Sequence, residues 1–237
     1  MVDWKDRTRL LLKEDKLSAL ENASVLVVGV GGVGAYAAEM LCRAGVGKLT
    51  LVDGDKIETT NRNRQLPALI STEGEWKTEV LKRRFLDINP ELQITTVNEF
   101  LSGEKTAEVL DRDKYDYVID AIDTVSPKVF LIIETLKRHI PLVSAMGAGG
   151  KIDPSKVQVA DISKTHQCPL AGTIRKRLKK QGISTGFKAV FSTEIPLENS
   201  SRADEQSLYK RTTLGTISYM PAVFGCWCAG VCLGDLG

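Results

Sequence analysis

Two periods of hydrophobic spacing take turns along this chain. Short aliphatic or β-branched runs read as strands at Ser24 to Val28, Lys48 to Val52, Gln93 to Val97, Tyr115 to Ile119 and Leu142 to Ala145. Helical spacing fills the intervals at Gly34 to Arg43, Glu73 to Ile88, Gly103 to Leu110 and Ser126 to Arg138, and a leading helix covers Leu10 to Leu20. Turn residues fit these limits: Gly45 and Gly47 follow the first crossover helix, Asn89-Pro90 stops the second, and His139-Ile140-Pro141 ends the last. Regular strand–helix alternation predicts an α/β fold, a Rossmann-like, doubly wound, mainly parallel sheet.

Beyond the fifth strand the pattern is less regular. Gly147 to Gly150 form a loop in which backbone can approach a ligand closely. Additional strands are expected at Val157 to Ala160 and Ala189 to Phe191, a basic helix at Ile174 to Lys180, and a polar loop from Glu198 to Arg211. The tail from Gly215 to Gly237 is largely apolar. Pro221 and several glycine and hydroxyl residues interrupt it, leaving runs well short of the roughly 18 residues a membrane span requires. It therefore reads as a buried C-terminal helix covering the sheet, with no stable membrane insertion.

Composition limits the class without naming a function. A chain of 237 residues with 43% hydrophobic and 26% charged positions is ordinary globular usage, read as a single domain over residues 1–237. The first residues mix acids and bases, which is unlike a signal peptide and points to the cytoplasm. Cys42, Cys168, Cys226, Cys228 and Cys232 are odd in number and lack a CxxC pair, so neither a disulfide framework nor a zinc knuckle is expected. The last three read as small hydrophobes on a buried helix. Cys168 has no histidine partner that sequence can place, and His139 and His166 have plain readings. The net charge of +2 is uninformative, but its distribution is not. Residues 162–188 hold seven of the 32 basic side chains and none of the 30 acidic ones. That stretch is either a docking surface for an extended anion or a solvated helix face.

Every candidate for chemistry falls after the carboxyl end of a predicted strand, where open α/β sheets bind ligands. Gly29, Gly31 and Gly34, with Gly32 among them, follow strand one and open the next helix, the context of a phosphate-binding loop. Asp53 and Asp55 follow strand two, and Asp53 is placed to accept from ribose hydroxyls. Arg62 and Arg64 share that loop and Lys77 begins the next helix, cations that suit a triphosphate better than a dinucleotide. Asp120 and Asp123 lie at the mouth of strand four, where a carboxylate can hold Mg²⁺ against ATP phosphates.

Together GVGGVG, VDGD, NRNRQ, Lys77 and AID ending at Asp123 resemble the ubiquitin-activating-enzyme-like superfamily, which includes the ThiF and MoeB adenylyltransferases. The resemblance implies ATP binding by the glycine loop, Asp53, Asn61, Arg64 and Lys77, with Asp55 and Asp120 nearby and Mg²⁺ on Asp123. Arg64, Lys77 and Asp123 would carry the catalytic work. Arg9 resembles an arginine sent into a neighbouring subunit's ATP site, which implies a homodimer. The paired CxxC motifs of sulfur-carrier activators are missing. Instead Gly147-Ala148-Gly149-Gly150-Lys151-Ile152-Asp153-Pro154, Asp161 to Thr165 with Pro169-Leu170-Ala171, and Val190 to Glu194 resemble the tRNA threonylcarbamoyladenosine dehydratase branch.

That branch implies ATP-dependent cyclising dehydration of threonylcarbamoyladenosine beside a tRNA anticodon. Lys164, Arg175, Lys176, Arg177, Lys179 and Lys180 would then grip tRNA phosphates. The alternatives are an adenylyltransferase acting on the C-terminal glycine of a ubiquitin-like sulfur carrier, and a non-catalytic dinucleotide-sensing or scaffold protein. A monovalent cation ordering the glycine loops and a sulfur-transfer accessory protein stay open.

Overall fold

The structure, a computed structural model, describes residues 3–197, 201–203 and 212–237. Its centre is a seven-stranded sheet. In chain order the strands are β1 (Ser24–Val28), β2 (Lys48–Val52), β3 (Gln93–Val97), β4 (Tyr117–Asp120), β5 (Leu142–Ala145), β6 (Val157–Asp161) and β7 (Lys188–Ser192). They lie side by side as β3-β2-β1-β4-β5-β7-β6, all parallel except β6, which runs antiparallel to β7 at the edge. Two short strands, β8 (Ser201–Ala203) and β9 (Thr212–Leu214), pair separately. The expected polar loop, Glu198 to Arg211, lies mostly outside the described residues.

Among the described residues seven α-helices surround the sheet: α1 (Asp6–Asn22), α2 (Gly34–Ala44), α3 (Lys77–Ile88), α4 (Gly103–Asp111), α5 (Val125–Lys137), α6 (Pro169–Lys179) and α7 (Tyr219–Leu236). Side chains alternate across each strand, and both faces are covered. Val25, Val27, Leu49, Leu51 and Ile119 pack toward α2, α3 and α7, where Ala38, Leu81 and Phe224 meet them. Leu26, Val28, Val52, Val118 and Ala189 pack the other way, toward Val109, Leu131 and Ile174 of α4, α5 and α6.

Several boundaries move from their sequence expectations, each for a local reason. α3 starts at Lys77 rather than Glu73, because Gly74 has φ +85° and Trp76 is extended, bridging to Lys56. α6 starts at Pro169 rather than Ile174, since proline suits a helix's first position. β4 is shifted to Tyr117–Asp120, in register with Val25–Val28, so Asp120 closes the strand instead of standing beyond it. Pro221 and the tail glycines do not interrupt α7, an 18-residue helix long and apolar enough to span a membrane by length and composition. Met220, Phe224, Cys228 and Cys232 bury one side of it against the sheet and α2. Cys226 departs from the expected buried trio and is exposed.

Candidate active site

The strand order reverses between β1 and β4, so a crevice opens above their carboxyl ends. Gly29 turns out of β1 at φ +82°, its N–H donating to Val52 O at 2.7 Å. A Cβ at Gly29 would sit 2.8 Å from Ala121 O, and one at Gly34 only 1.8 Å from Gly29 O. Neither position has room for a side chain, which lets α2 start directly under the loop.

The second wall gathers the expected acids and lysine. Asp53 Oδ2 accepts from Val30 N at 2.8 Å, and its Oδ1 accepts from Asp55 N at 2.8 Å. Lys77, only 4% exposed, places Nζ 2.7 Å from Asp55 Oδ2 and 3.9 Å from Asp53 Oδ1. Burial pushes the Asp53 carboxyl up, while the Lys77 ammonium and the two amides pull it back. Asn61 is buried and accepts from Glu58 N at 3.2 Å, shaping the turn whose later residues carry Arg64. Arg64 is half-buried; its Nη1 donates to Thr60 O at 3.0 Å and Asn63 Oδ1 at 2.9 Å. The neighbouring Asn63 Nδ2 donates to Thr216 O at 2.9 Å, linking this loop to the segment before α7.

Asp123 is exposed in the turn from β4 to α5. Asp120 is placed differently from its expected nucleotide-facing role. Its carboxylate is fully buried and lies 2.8 Å from Lys128 Nζ, with Ser144 Oγ donating to it at 2.6 Å. Register explains the difference, because the last residue of an interior strand points into a core rather than into the crevice. Arg9 also stands apart: its guanidinium binds Asp3, Asp6 and Glu14 of its own segment at 2.6–2.9 Å.

The later motifs converge. Glu194 accepts from Ile152 N at 3.1 Å and Asp153 N at 2.9 Å, which docks the end of the β7 segment onto the Gly147–Pro154 loop. Lys151, 2% exposed, donates to Ser192 O at 3.3 Å, and burial lowers its pKa against the opposing pull of Cys168 and Glu194. Beside them α6 exposes Lys176 and Lys179, with Lys180 exposed at its end and Lys164 just ahead of it. Arg177 donates to Ser126 Oγ at 2.9 Å and Arg175 to Thr165 Oγ1. Lys188, the last cation of the acid-free stretch, leaves this face: it pairs with Asp235 at the amino end of β7.

Sequence reasoning missed Lys128 and gave Lys151 and Gln65 no role beyond their place in the motifs Gly147 to Pro154 and NRNRQ. Gln65 lies against Gly31, its Nε2 3.6 Å from where a Cβ would be, and its Oε1 is buried without a hydrogen-bond partner. The signal for Lys128 was one basic residue at the head of the apolar run Val129-Phe130-Leu131-Ile132.

A model of the ThiF family matches residues 6–234. The chain belongs to that family. The tRNA threonylcarbamoyladenosine dehydratase of Bacillus subtilis is 47% identical over 197 residues, spanning 83% of this chain and 77% of the relative. Its Escherichia coli counterpart is 44% identical over 201 residues, spanning 81% and 75%. The solved structure of E. coli TcdA in complex with ATP superposes with a TM-score of 0.89 at 39% identity, covering 98% of this chain and 94% of that one. The ThiF-family chain therefore shares its parallel sheet and its later loops, not only the glycine loop, with that structure.

Proposed function

We propose that this chain is an ATP-dependent tRNA threonylcarbamoyladenosine dehydratase acting in the cytoplasm. The observation that carries the reading is the docking of the Gly147–Pro154 and Val190–Glu194 segments beside the basic α6. These elements are not needed to bind ATP, and they put a cationic surface next to the nucleotide crevice. Likeness to the relatives over most of the chain supports the same assignment.

The crevice suits ATP. The loop from Gly29 to Gly34, too tight for side chains at Gly29 and Gly34, leads into the amino terminus of α2, a place that suits phosphate, and Asp53 stands where ribose hydroxyls would donate. Lys77 would exchange Asp55 for phosphate oxygens, joined by Arg64. Among the described residues no three His, Cys, Asp or Glu side chains gather into a cation cage. A magnesium ion here would be held by Asp123 together with phosphate oxygens, as this ion usually is. When bound it would neutralise charge on the phosphates.

Chemically, a carboxylate is a poor acyl donor. Attack of the substrate carboxylate on the α-phosphorus of ATP forms an acyl-adenylate and releases pyrophosphate. An internal nitrogen of the threonylcarbamoyl group then attacks the activated carbonyl, loses its proton and expels AMP, so the nucleoside loses one water overall. The nucleophile is already tethered, and positioning supplies much of the rate without an enzyme thioester. Arg64 and Lys77 stabilise the charge that builds on the phosphates. Lys164, Arg175, Lys176, Arg177, Lys179 and Lys180 hold the anticodon stem-loop through its phosphates. The working unit is a homodimer in which Arg9 reaches the partner's crevice. A monovalent cation at the glycine loops and a sulfur-transfer accessory protein complete the proposed set.

Mass spectrometry of tRNA nucleosides after incubation with the protein and ATP tests the reading. Threonylcarbamoyladenosine is expected to lose the mass of one water only when ATP is present. An unchanged nucleoside, with ATP turnover that responds instead to a ubiquitin-like carrier, would overturn it.

A further inference from the structure

We propose that Lys128 is a positioning residue for adenylation, setting the turn that carries Asp123 against the glycine loop. Lys128 lies in the first turn of α5 and is fully buried, as is its partner Asp120. Its Nζ lies 2.8 Å from Asp120 Oδ2 and donates to Ile122 O at 2.8 Å. Ser144 Oγ, from β5, donates to that same Oδ2, and Asp120 Oδ1 accepts from Ile122 N at 3.1 Å. One ammonium therefore ties together the end of β4, the adjacent strand β5 and the carbonyl immediately before Asp123.

The same turn forms a wall of the glycine loop. Ala121 N donates to Val28 O at 2.8 Å, and Gly29 has no space for a Cβ because Ala121 O stands 2.8 Å from that position. Both sides of the crevice mouth are thus fixed to one enclosed ion pair. Stability does not require such a pair: an enclosed ion pair can often be exchanged for well-packed apolar side chains at no loss. What an apolar replacement cannot supply is a directed bond to Ile122 O. The neighbouring α5 residues Val129, Leu131 and Ile132 are apolar and pack into the core, whereas Lys128 is buried among them and reaches the turn at Ile122 O.

The role rests on reading Asp123 as a phosphate-facing group, and the experiment separates the two ideas. The double variant Asp120→Asn/Lys128→Met removes both charges at once and avoids stranding either. It is expected to melt cooperatively and to exchange the amides of the Ala121–Thr124 turn about tenfold faster. Its kcat for AMP release is expected to fall roughly 10–100-fold with the KM for ATP within about threefold, the range seen when outer partners of a site are removed. Ser144→Ala, which keeps both charges, is expected to move the same two readouts by a few-fold. Wild-type turn exchange and wild-type kcat in the double variant would overturn the proposal. Asp123→Asn, measured alongside, is expected to lose activity with turn exchange unchanged. Full activity there would overturn the reading of Asp123 instead, leaving the turn-exchange result to judge Lys128.

Discussion

Single acids in this molecule are governed by what donates to them, and Asp161 is the clearest case. It ends β6 and caps the following turn: Oδ1 accepts from Ser163 N at 2.9 Å, while Oδ2 accepts from Thr185 Oγ1 at 2.7 Å and Gly186 N at 3.0 Å. Burial alone would raise its pKa, but these donors outweigh burial and bring it from 3.8 down to about 2. A carboxyl whose folded pKa is depressed stabilises the fold above its unfolded value and loses that contribution as pH falls through the folded value. The contribution of Asp161 is therefore full above about pH 4 and fades toward pH 2. Asp161→Asn keeps an acceptor but cannot titrate, so its stability should fall less steeply than wild type between those limits. Urea midpoints at pH 5, 4 and 3 provide the check, and parallel curves for the two proteins would refute the assignment.

Helix and strand positions were largely legible because the hydrophobic period is strong wherever an element faces the sheet. The failures came where a backbone or an enclosed charge decides. Gly74 and the extended Trp76 delay α3, and nothing in the apolar spacing of Glu73 to Ile88 carries that information. Asp120 was expected to face the nucleotide and Lys128 was given no role, since sequence does not reveal that register turns the first inward and that the second follows it. Close helix approach was hidden in the same way. A Cβ at Gly225 of α7 would lie 2.4 Å from Val33 O, just ahead of α2, and 3.0 Å from Ala37 N within it, whereas one at Gly230 meets nothing within 4 Å. Gly225→Ala should force the helices apart and cost about 1–3 kcal/mol. Gly230→Ala should be neutral or stabilise by up to about 1 kcal/mol, through helix propensity alone. The denaturant midpoint should fall for Gly225→Ala and stay or rise for Gly230→Ala; equal losses would mean that contact with α2 does not distinguish them.

At the scale of the molecule, the crevice gathers Asp53, Asp55, Lys77 and the glycine loop from one chain, but Arg9 remains with Asp3, Asp6 and Glu14. The family resemblance was the only sign of a role for Arg9, because a contribution across subunits leaves no trace in the hydrophobic pattern. The proposed homodimer gives that role a quantitative consequence. If Arg9 serves the partner's site, Arg9→Ala and Lys77→Ala damage different components of the same composite centre. A heterodimer of the two variants then contains one complete site, with Lys77 from the first chain and Arg9 from the second. Random reassortment makes about half of all dimers mixed, so roughly a quarter of the sites are restored. Each variant alone should be nearly inactive, and the mixture after subunit exchange should recover about a quarter of wild-type adenylation. Exchange must be verified independently, for example by native mass spectrometry of differently tagged chains. Mixed dimers that form and yet recover no activity would confine Arg9 to its own chain, and its contacts with the three acids would then be its whole role.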